Sequence, residues 1–225
     1  NFDRKERPEY MNINRGIAYR GKSSEGQLFF CAGNLLIAID AESGKPVPTF
    51  GMGGRVDMNE GHHLPAERMG ITVSSSPVVF EDLVIIGASS WSATSHVAAY
   101  DVHTGERVWK FNTIPHEGEY GHDTYGDPDY WKVGAGVNVW GGFSVDEANG
   151  LLFFGTGQPK FDFYRPFNEG QHLFGNCVVA LDARTGERAW HYQVVHHDLW
   201  DLDVPCAPVL AEATLKGAQG PVAIQ

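Results

Sequence analysis

The chain has 225 residues, of which 42% are hydrophobic, and a sizeable core can form. Its 17 Lys and Arg residues against 28 Asp and Glu give a net charge of −11, which excludes nucleic acid as the main partner and disfavours anionic membrane surfaces. The 27 glycines and 12 prolines exceed their usual combined share of roughly 12%, so turns are frequent and a helix bundle is disfavoured.

The two ends of the chain and its cysteines say little about the class of protein. The chain starts at Asn1 and stops at Gln225 within an extended-looking run, which predicts a fragment whose signal peptide would be out of view. Apolar stretches stay well short of the ~18 residues that cross a bilayer. Cys31, Cys177 and Cys206 are too scattered for a disulfide scaffold or thiolate metal site, and we expect buried free thiols.

The first polar candidate along the chain is Arg15, which precedes a β-rich run. A guanidinium suits a bidentate contact to a carboxylate, although a lone arginine is ordinarily a solvated surface residue. Further along, the hydroxyls of residues 74–76 and 89–90 stand near the starts and ends of predicted strands. Each of these serines is by default a turn or cap residue.

One short phrase occurs three times, as AIDAESGK at 38–45, AYDVHTGE at 99–106 and ALDARTGE at 180–187, with a weaker copy, SVDEANG, at 144–150. It predicts a β-hairpin whose turn is opened by Asp and holds Gly at a position that tolerates positive φ. The second and third copies lead to Trp109 and Trp190, which we expect to face a core.

The repeats predict an all-β protein built as an incomplete β-propeller, because similar sheets bury their faces only against their neighbours. The repeated aspartates are 61 and 81 residues apart, longer than the ~40–45 residues of a compact blade. We therefore expect one partial propeller domain of about four blades over residues 1–225, with the remaining blades outside this chain. Its long loops, 51–70, 115–133 and 159–174, are of a length that is more often functional than idle.

Two segments contain residues suited to chemistry. In GAGVNVWGG, residues 134–142, small neighbours would leave the Trp140 indole open to a flat ligand, although packing between blades explains it equally well. In VVHHDLWDLD, residues 194–203, a carboxylate could act as a general base behind a Trp wall, or the cluster could only bond neighbouring backbone. A zinc site is disfavoured because adjacent histidines on a strand point to opposite faces.

Together these segments, in this order, resemble the quinoprotein dehydrogenases, eight-bladed propeller enzymes that use pyrroloquinoline quinone (PQQ). The resemblance rests on NRGIAY at 14–19, SSSP at 74–77, the Asp-turn hairpins, NVWG at 138–141, GTG at 155–157 and HHDLWD at 196–201. The paired histidines are more similar to the glucose and quinate dehydrogenase branch than to the methanol branch. The resemblance implies that the chain is part of an eight-bladed propeller.

The resemblance implies four contacts to PQQ. Arg15 matches the arginine that binds a PQQ carboxylate, and Ser74 and Ser89 fall where the family places hydroxyl contacts. Trp140 matches the indole that stacks under the planar quinone. PQQ is a planar tricarboxylate, which suits a flat aromatic ring below it and cationic side chains at its carboxylates.

It also implies a metal ion and a base. Asp201 matches the catalytic base, and Gln158 occupies the place where many members have an Asn that ligates calcium. The implied metal ligands are therefore Gln158 and Asp201, holding Ca²⁺ or Mg²⁺. Asp201 would accept the hydroxyl proton of an alcohol, sugar or polyol while hydride moves to the C5 carbonyl of PQQ.

The implied partners are the small-molecule substrate and a membrane quinone or cytochrome that accepts the electrons, with no nucleic acid. The implied location is the periplasm, with or without membrane association of the full-length protein. We expect the isolated piece to be inactive.

Four positions depart from the family pattern. Gln158 is longer than Asn, and Ser92 stands near the metal-binding Glu of the methanol branch. Residues 171–172 are Gln-His where Asp-Asn is expected, and the vicinal cysteine pair of the methanol branch is absent near residues 9–10. Because a hard divalent cation prefers charged oxygen ligands, Gln158 and Ser92 predict weakened metal affinity.

Two alternatives stay open beside the dehydrogenase. The chain could belong to a non-catalytic binding propeller that scaffolds an assembly, or to a homologue that has lost both metal and PQQ. A shared cavity for Arg15, Trp140 and Asp201 would favour the dehydrogenase over the scaffold, which has no need for that set.

Overall fold

The structure is a computed structural model that describes residues 13–22, 25–61, 70–160, 163, 169–215 and 217–225. Its strands are β1 Ala18–Lys22, β2 Glu25–Ala32, β3 Leu35–Asp40, β4 Arg55–Asp57, β5 Ile71–Thr72, β6 Val78–Phe80, β7 Leu83–Gly87, β8 Ser89–Ser90, β9 His96–Asp101, β10 Arg107–Asn112, β11 Phe143–Asp146, β12 Leu151–Gly155, β13 Cys177–Asp182, β14 Arg188–Gln193, β15 Val209–Leu215 and β16 Ala218–Ile224. A 3₁₀ turn, His122–Thr124, and one short helix, α1 Tyr130–Val133, lie between β10 and β11. The predicted all-β class is confirmed.

The strands form three four-stranded antiparallel sheets. Sheet 1 has the order β1-β2-β3-β4, sheet 2 the order β6-β7-β9-β10, and sheet 3 the order β11-β12-β13-β14. The strands β15 and β16 form a hairpin after sheet 3, and β5 pairs with β8 beside sheet 2. Each sheet is an up-and-down meander, which is the unit of a propeller blade.

The predicted Asp turns recur with the same hydrogen bonds. Asp101 Oδ1 accepts hydrogen bonds from the backbone N–H groups of His103 and Thr104, and Gly105, at φ 73°, donates to the Asp101 carbonyl. The turns after Asp40, Asp146 and Asp182 also place a glycine at positive φ in this role. A side-chain acceptor and a left-handed glycine together close the hairpin, as the repeated phrase predicts.

Sheets 1 and 2 each contact the Asp turn of the following sheet. Gly51, which follows β3, donates its N–H to Thr104 O at 2.7 Å, and the Trp109 indole Nε1 donates to Ala183 O at 3.1 Å. A Cβ on Gly186 would come within 2.6 Å of the Trp109 ring, so the indole lies directly on this turn. Two apolar clusters fill the spaces between neighbouring sheets, one around Phe29 and Phe50 and one around Phe154 and Phe174.

Two expectations about side chains are wrong. Trp109 is buried as predicted, but Trp190 is 38% exposed and packs on Phe153 instead of a following Asp turn. In the described chain the turn after Asp182 already holds Trp109, and the hairpin β15–β16 faces Trp190 across a groove. Cys31 and Cys177 are buried free thiols, whereas Cys206 is exposed because it lies in the irregular connection before β15.

The long loops differ in their use. The 115–133 loop packs onto the core through Tyr125 and Tyr130, whose rings stack 5.1 Å apart. The 159–174 loop supplies Lys160 to a cavity described below. Residues 62–69 of the 51–70 loop, like residues 9–10, lie outside the described residues.

Over the described ranges, no helix has the length and apolar character needed to cross a membrane.

Candidate active site

A cavity of about 280 Å³ gathers residues from six separate parts of the chain. Its lining is formed by Ile13, Arg15, Thr72, Ser74, Ser89, Trp91, Gly136, Asn138, Trp140, Gly157, Gln158, Lys160, Asp201 and Asp203. All six side chains singled out from the sequence lie in this set. They come from connections next to strands, apart from Ser89 in β8, and so the ends of sheets 1, 2 and 3 meet at one place.

Arg15 reaches across to the walls formed by the other two sheets. Its Nη1 donates a hydrogen bond to the Ser74 carbonyl at 3.2 Å, and its guanidinium carbon lies 5.3 Å from the centre of the Trp140 ring. That distance is typical of a cation–π contact. The contact places a fixed positive charge beside a flat aromatic surface, which suits a planar anion.

Ser89 supplies a buried polar atom without a partner. The residue is only 8% exposed, and its Oγ makes no hydrogen bond to any of the described residues. A buried hydroxyl left in this state costs free energy, so it calls for an explanation such as a bound ligand. Because Ser89 lines the cavity, a polar group placed there would satisfy it.

Asp203, which the sequence analysis did not single out, anchors two of the predicted residues. Its Oδ2 accepts a hydrogen bond from Trp140 Nε1 at 2.8 Å, and its Oδ1 accepts one from the Gln158 backbone N–H at 2.8 Å. Gly157 allows this approach, since a Cβ there would lie 2.6 Å from Asp203 Oδ2. The indole and the GTGQ segment are therefore fixed by one carboxylate.

Asp201 and Gln158 are neighbours within the cavity. Gln158 Nε2 lies 3.5 Å from Asp201 Oδ1, at the limit of a hydrogen bond, and the Gln158 side chain is buried. Asp201 is exposed and has a left-handed backbone, with φ 61°. A substrate can therefore reach the Asp201 carboxylate.

These residues offer a partial set of oxygen ligands. A metal ion would need the Gln158 amide to present its oxygen in place of Nε2, beside the Asp201 carboxylate. Asp203 is already engaged through both oxygens, and the Ser92 hydroxyl accepts a hydrogen bond from the Gly70 N–H. Within the described residues, no cluster of three or more His, Cys, Asp and Glu side chains is arranged to hold a metal. A hard cation here would take its remaining oxygen ligands from a bound molecule or water.

The rest of the histidine–aspartate cluster has other surroundings. His196 is exposed, and His197 places Nδ1 2.8 Å from the Gly170 carbonyl while its ring stacks on His172 at 4.7 Å. Trp200 is 72% exposed and does not line the cavity, so the prediction that it walls off the base is wrong. The reason is directional: the side chains of the adjacent residues Trp200 and Asp201 point to different sides of the loop.

Two further lining residues escaped the sequence analysis. Lys160 Nζ lies 3.2 Å from the centre of the Trp91 ring, and this pair forms part of the cavity wall. The available signal was spacing, since Lys160 follows Gln158 by two residues and the side chains of alternate residues in extended chain share a side. Trp91 stands two residues after Ser89 in the same way.

Comparison with known proteins decides the family. A family model described as "PQQ: Glucose/ethanol/alcohol dehydrogenase, beta-propeller domain" matches residues 1–225. The chain belongs to this family. The predicted resemblance to the quinoprotein dehydrogenases, and a fold that is part of their propeller, are thereby confirmed.

Individual members of the PQQ dehydrogenase family are similar over most of the chain. The quinoprotein glucose dehydrogenase of Escherichia coli K12 is 32% identical over 83% of this chain, and the quinohemoprotein alcohol dehydrogenase ADH IIB of Pseudomonas putida is 32% identical over 95%. The solved structure of a europium-containing methanol dehydrogenase superposes on 94% of the chain with a TM-score of 0.77 at 27% identity.

The chain is much shorter than these relatives. It spans 24% of the glucose dehydrogenase, 31% of the alcohol dehydrogenase and 37% of the methanol dehydrogenase chain. The described residues form three four-stranded sheets and a following hairpin.

Proposed function

We propose that the protein is a PQQ-dependent dehydrogenase that oxidises a hydroxyl group of an alcohol, sugar or polyol. One observation carries the proposal: Arg15, Trp140 and Asp201, more than a hundred residues apart at the extremes, line one cavity. Family membership and relatives named glucose and alcohol dehydrogenases support it. A binding scaffold would have no need to bring these three side chains together.

The cavity fits the cofactor through four side chains. Trp140 offers a flat face held in place by Asp203, and Arg15 offers a cation beside that face. Ser89 offers a buried hydroxyl that a polar group of the cofactor would satisfy, and Ser74 lies beside Arg15 in the same wall. In this proposal Arg15 binds a carboxylate, Ser74 and Ser89 donate hydrogen bonds, and Trp140 stacks.

In the reaction, the exposed Asp201 carboxylate accepts the proton of the substrate hydroxyl at one of its oxygens. When bound, PQQ supplies a carbonyl that accepts hydride and Ca²⁺ or Mg²⁺ supplies a Lewis acid that polarises it. Gln158, through its amide oxygen, and Asp201 would hold the metal ion, since the two side chains are neighbours in the cavity. Asp203 would hold the indole in place through its hydrogen bond from Trp140 Nε1.

The surroundings of the reaction are part of the same proposal. We propose a membrane quinone or a cytochrome as electron acceptor and the periplasm as location, on the strength of the family resemblance. The paired histidines at 196–197 favour a sugar or polyol over methanol as substrate.

The test is dye reduction by the intact protein supplied with PQQ and Ca²⁺, using a panel of sugars, polyols and primary alcohols. We expect Asp201→Asn to remove turnover while PQQ, followed by its absorbance after gel filtration, stays bound. The matched control is Asp127→Asn, whose carboxylate only caps the turn before α1 through the Asp129 N–H.

Full turnover in Asp201→Asn would reject the assignment of the base. Failure of the unaltered protein to bind PQQ at all would reject the dehydrogenase and favour a binding propeller. Binding of PQQ without metal or turnover would instead indicate a homologue that has lost its chemistry.

A further inference from the structure

The loop that contains Asp201 is held by hydrogen bonds to one buried carboxylate, that of Asp198. Asp198 is 2% exposed, and its Oδ1 accepts a hydrogen bond from the Trp200 backbone N–H at 2.8 Å. Its Oδ2 accepts one from the Leu202 backbone N–H at 2.7 Å. The two N–H groups flank Asp201, so Asp198 grips the backbone on both sides of it.

Asn176, at the start of the third strand of sheet 3, completes this arrangement. Its Nδ2 donates to Asp198 Oδ2 at 3.0 Å and to the Leu202 carbonyl at 2.8 Å. Asn176 is itself 1% exposed and precedes the buried strand β13. The loop is thereby attached to a rigid element of the sheet.

The attachment explains how Asp201 keeps an uncommon backbone conformation. A non-glycine residue at φ 61° costs free energy and persists only where the surroundings over-determine it. Hydrogen bonds on both sides of the residue supply that constraint. The backbone on either side of Asp201, a residue that lines the cavity, is thereby fixed.

We propose that Asp198, supported by Asn176, is a positioning residue that sets the orientation of Asp201. The inference rests on the proposed function for its kinetic consequence, but its structural part stands apart from that function. Asp198 is shielded from substrate by burial and acts only through the backbone of residues 200–202. A displacement of about 1 Å in a reacting group can reduce a rate about 100-fold.

The test replaces Asp198 by Asn in the intact protein, which removes the charge and one of the two backbone acceptors. Without PQQ, amide hydrogen exchange at residues 200–202 is expected to quicken at least about tenfold. With PQQ and Ca²⁺, turnover per bound PQQ is expected to fall about 10- to 100-fold with PQQ affinity unchanged within about twofold. The isotope effect with substrate deuterated at the carbinol carbon is expected to rise, because the chemical step becomes slower.

Asp146→Asn is the matched control, since Asp146 accepts hydrogen bonds from two backbone N–H groups in the turn between β11 and β12. It should change neither exchange at 200–202 nor turnover. If Asp198→Asn fails to fold, Asn176→Gly serves instead, because glycine tolerates the φ of 50° at that position while the amide is lost.

Unchanged exchange at 200–202 in the altered proteins would overturn the proposal. So would a loss of melting temperature and PQQ affinity in step with turnover, since that pattern marks a structural role alone. If the unaltered protein binds PQQ but turns nothing over, the proposed function fails and the exchange result decides the positioning role by itself.

Discussion

Trp140 shows how one side chain in the cavity depends on others that were invisible in the sequence. The small residues around it were consistent with an open indole face or with packing between blades, and the structure has Trp140 lining the cavity beside Arg15. Its anchor, Asp203, could not be inferred, because the contact joins residues 63 positions apart. The contact between Lys160 and Trp91 could not be inferred either, because it depends on how two loops meet, although the two-residue spacing from Gln158 and Ser89 was a signal for each residue alone.

Replacing Trp140 by Ala should weaken PQQ binding by about 1–3 kcal/mol, the scale of a lost large aromatic contact. The measurement is a titration of PQQ followed by fluorescence quenching or calorimetry. Trp190→Ala is the control, since Trp190 packs on Phe153 in sheet 3. Equal affinity in Trp140→Ala and the unaltered protein would reject the stacking role.

At the scale of single elements, the hairpins were the most predictable part of the fold. Asp opens each turn and glycine closes it, and both needs are local, so the repeated phrase identified all four turns. The loop at 194–203 was less predictable, because its backbone is set by Asn176 from another strand. The propensities of neighbouring residues in the sequence cannot predict a hydrogen bond between residues that are 26 positions apart.

The Asp turns also make the free energy of unfolding depend on pH in the acid range. Hydrogen bonds from Ser43 lower the pKa of Asp40, and those from Asn149 lower the pKa of Asp146. A carboxyl with a folded pKa below its unfolded value of about 3.9 contributes stability that is present above that value and lost as pH falls through the folded pKa.

We therefore expect the free energy of unfolding in urea to fall below about pH 4. Asp146→Asn should fall less steeply there, because an amide keeps an acceptor and does not titrate in this range. Urea titrations between pH 3 and 7 measure the effect, and identical pH profiles for both proteins would contradict it.

At the scale of the whole molecule, the sheets depend on contacts between neighbours. The repeats predicted a propeller, and the family comparison confirms part of one. The position of Trp190 was mispredicted because a repeat does not show what covers its last copy. Contacts within a hairpin join residues that are close in the sequence. Contacts between sheets join residues that are far apart in the sequence, so they depend on how the sheets pack.

Trp109→Ala should destabilise the protein by about 3–5 kcal/mol, since a buried indole between sheets 2 and 3 would be replaced by a cavity. Chemical denaturation measures the change. Trp109→Phe should cost less, because it keeps most of the contact area and loses mainly the hydrogen bond to Ala183. A loss in Trp109→Ala no larger than in Trp190→Ala would contradict this role.

Trp109 lies on β10, an edge strand of sheet 2, and is not among the residues that line the cavity. Its hydrogen bond to Ala183 nevertheless joins sheet 2 to sheet 3. A second link lies beside the cavity, where the N–H of Ser90, in the short strand β8, donates to Asn138 Oδ1 at 2.8 Å next to Ser89 and Trp140. The segments on the two sides of the cavity are therefore connected both next to it and at a distance from it. We expect a substitution at Trp109 to change the spacing between Ser89 and Trp140, although it touches neither of them.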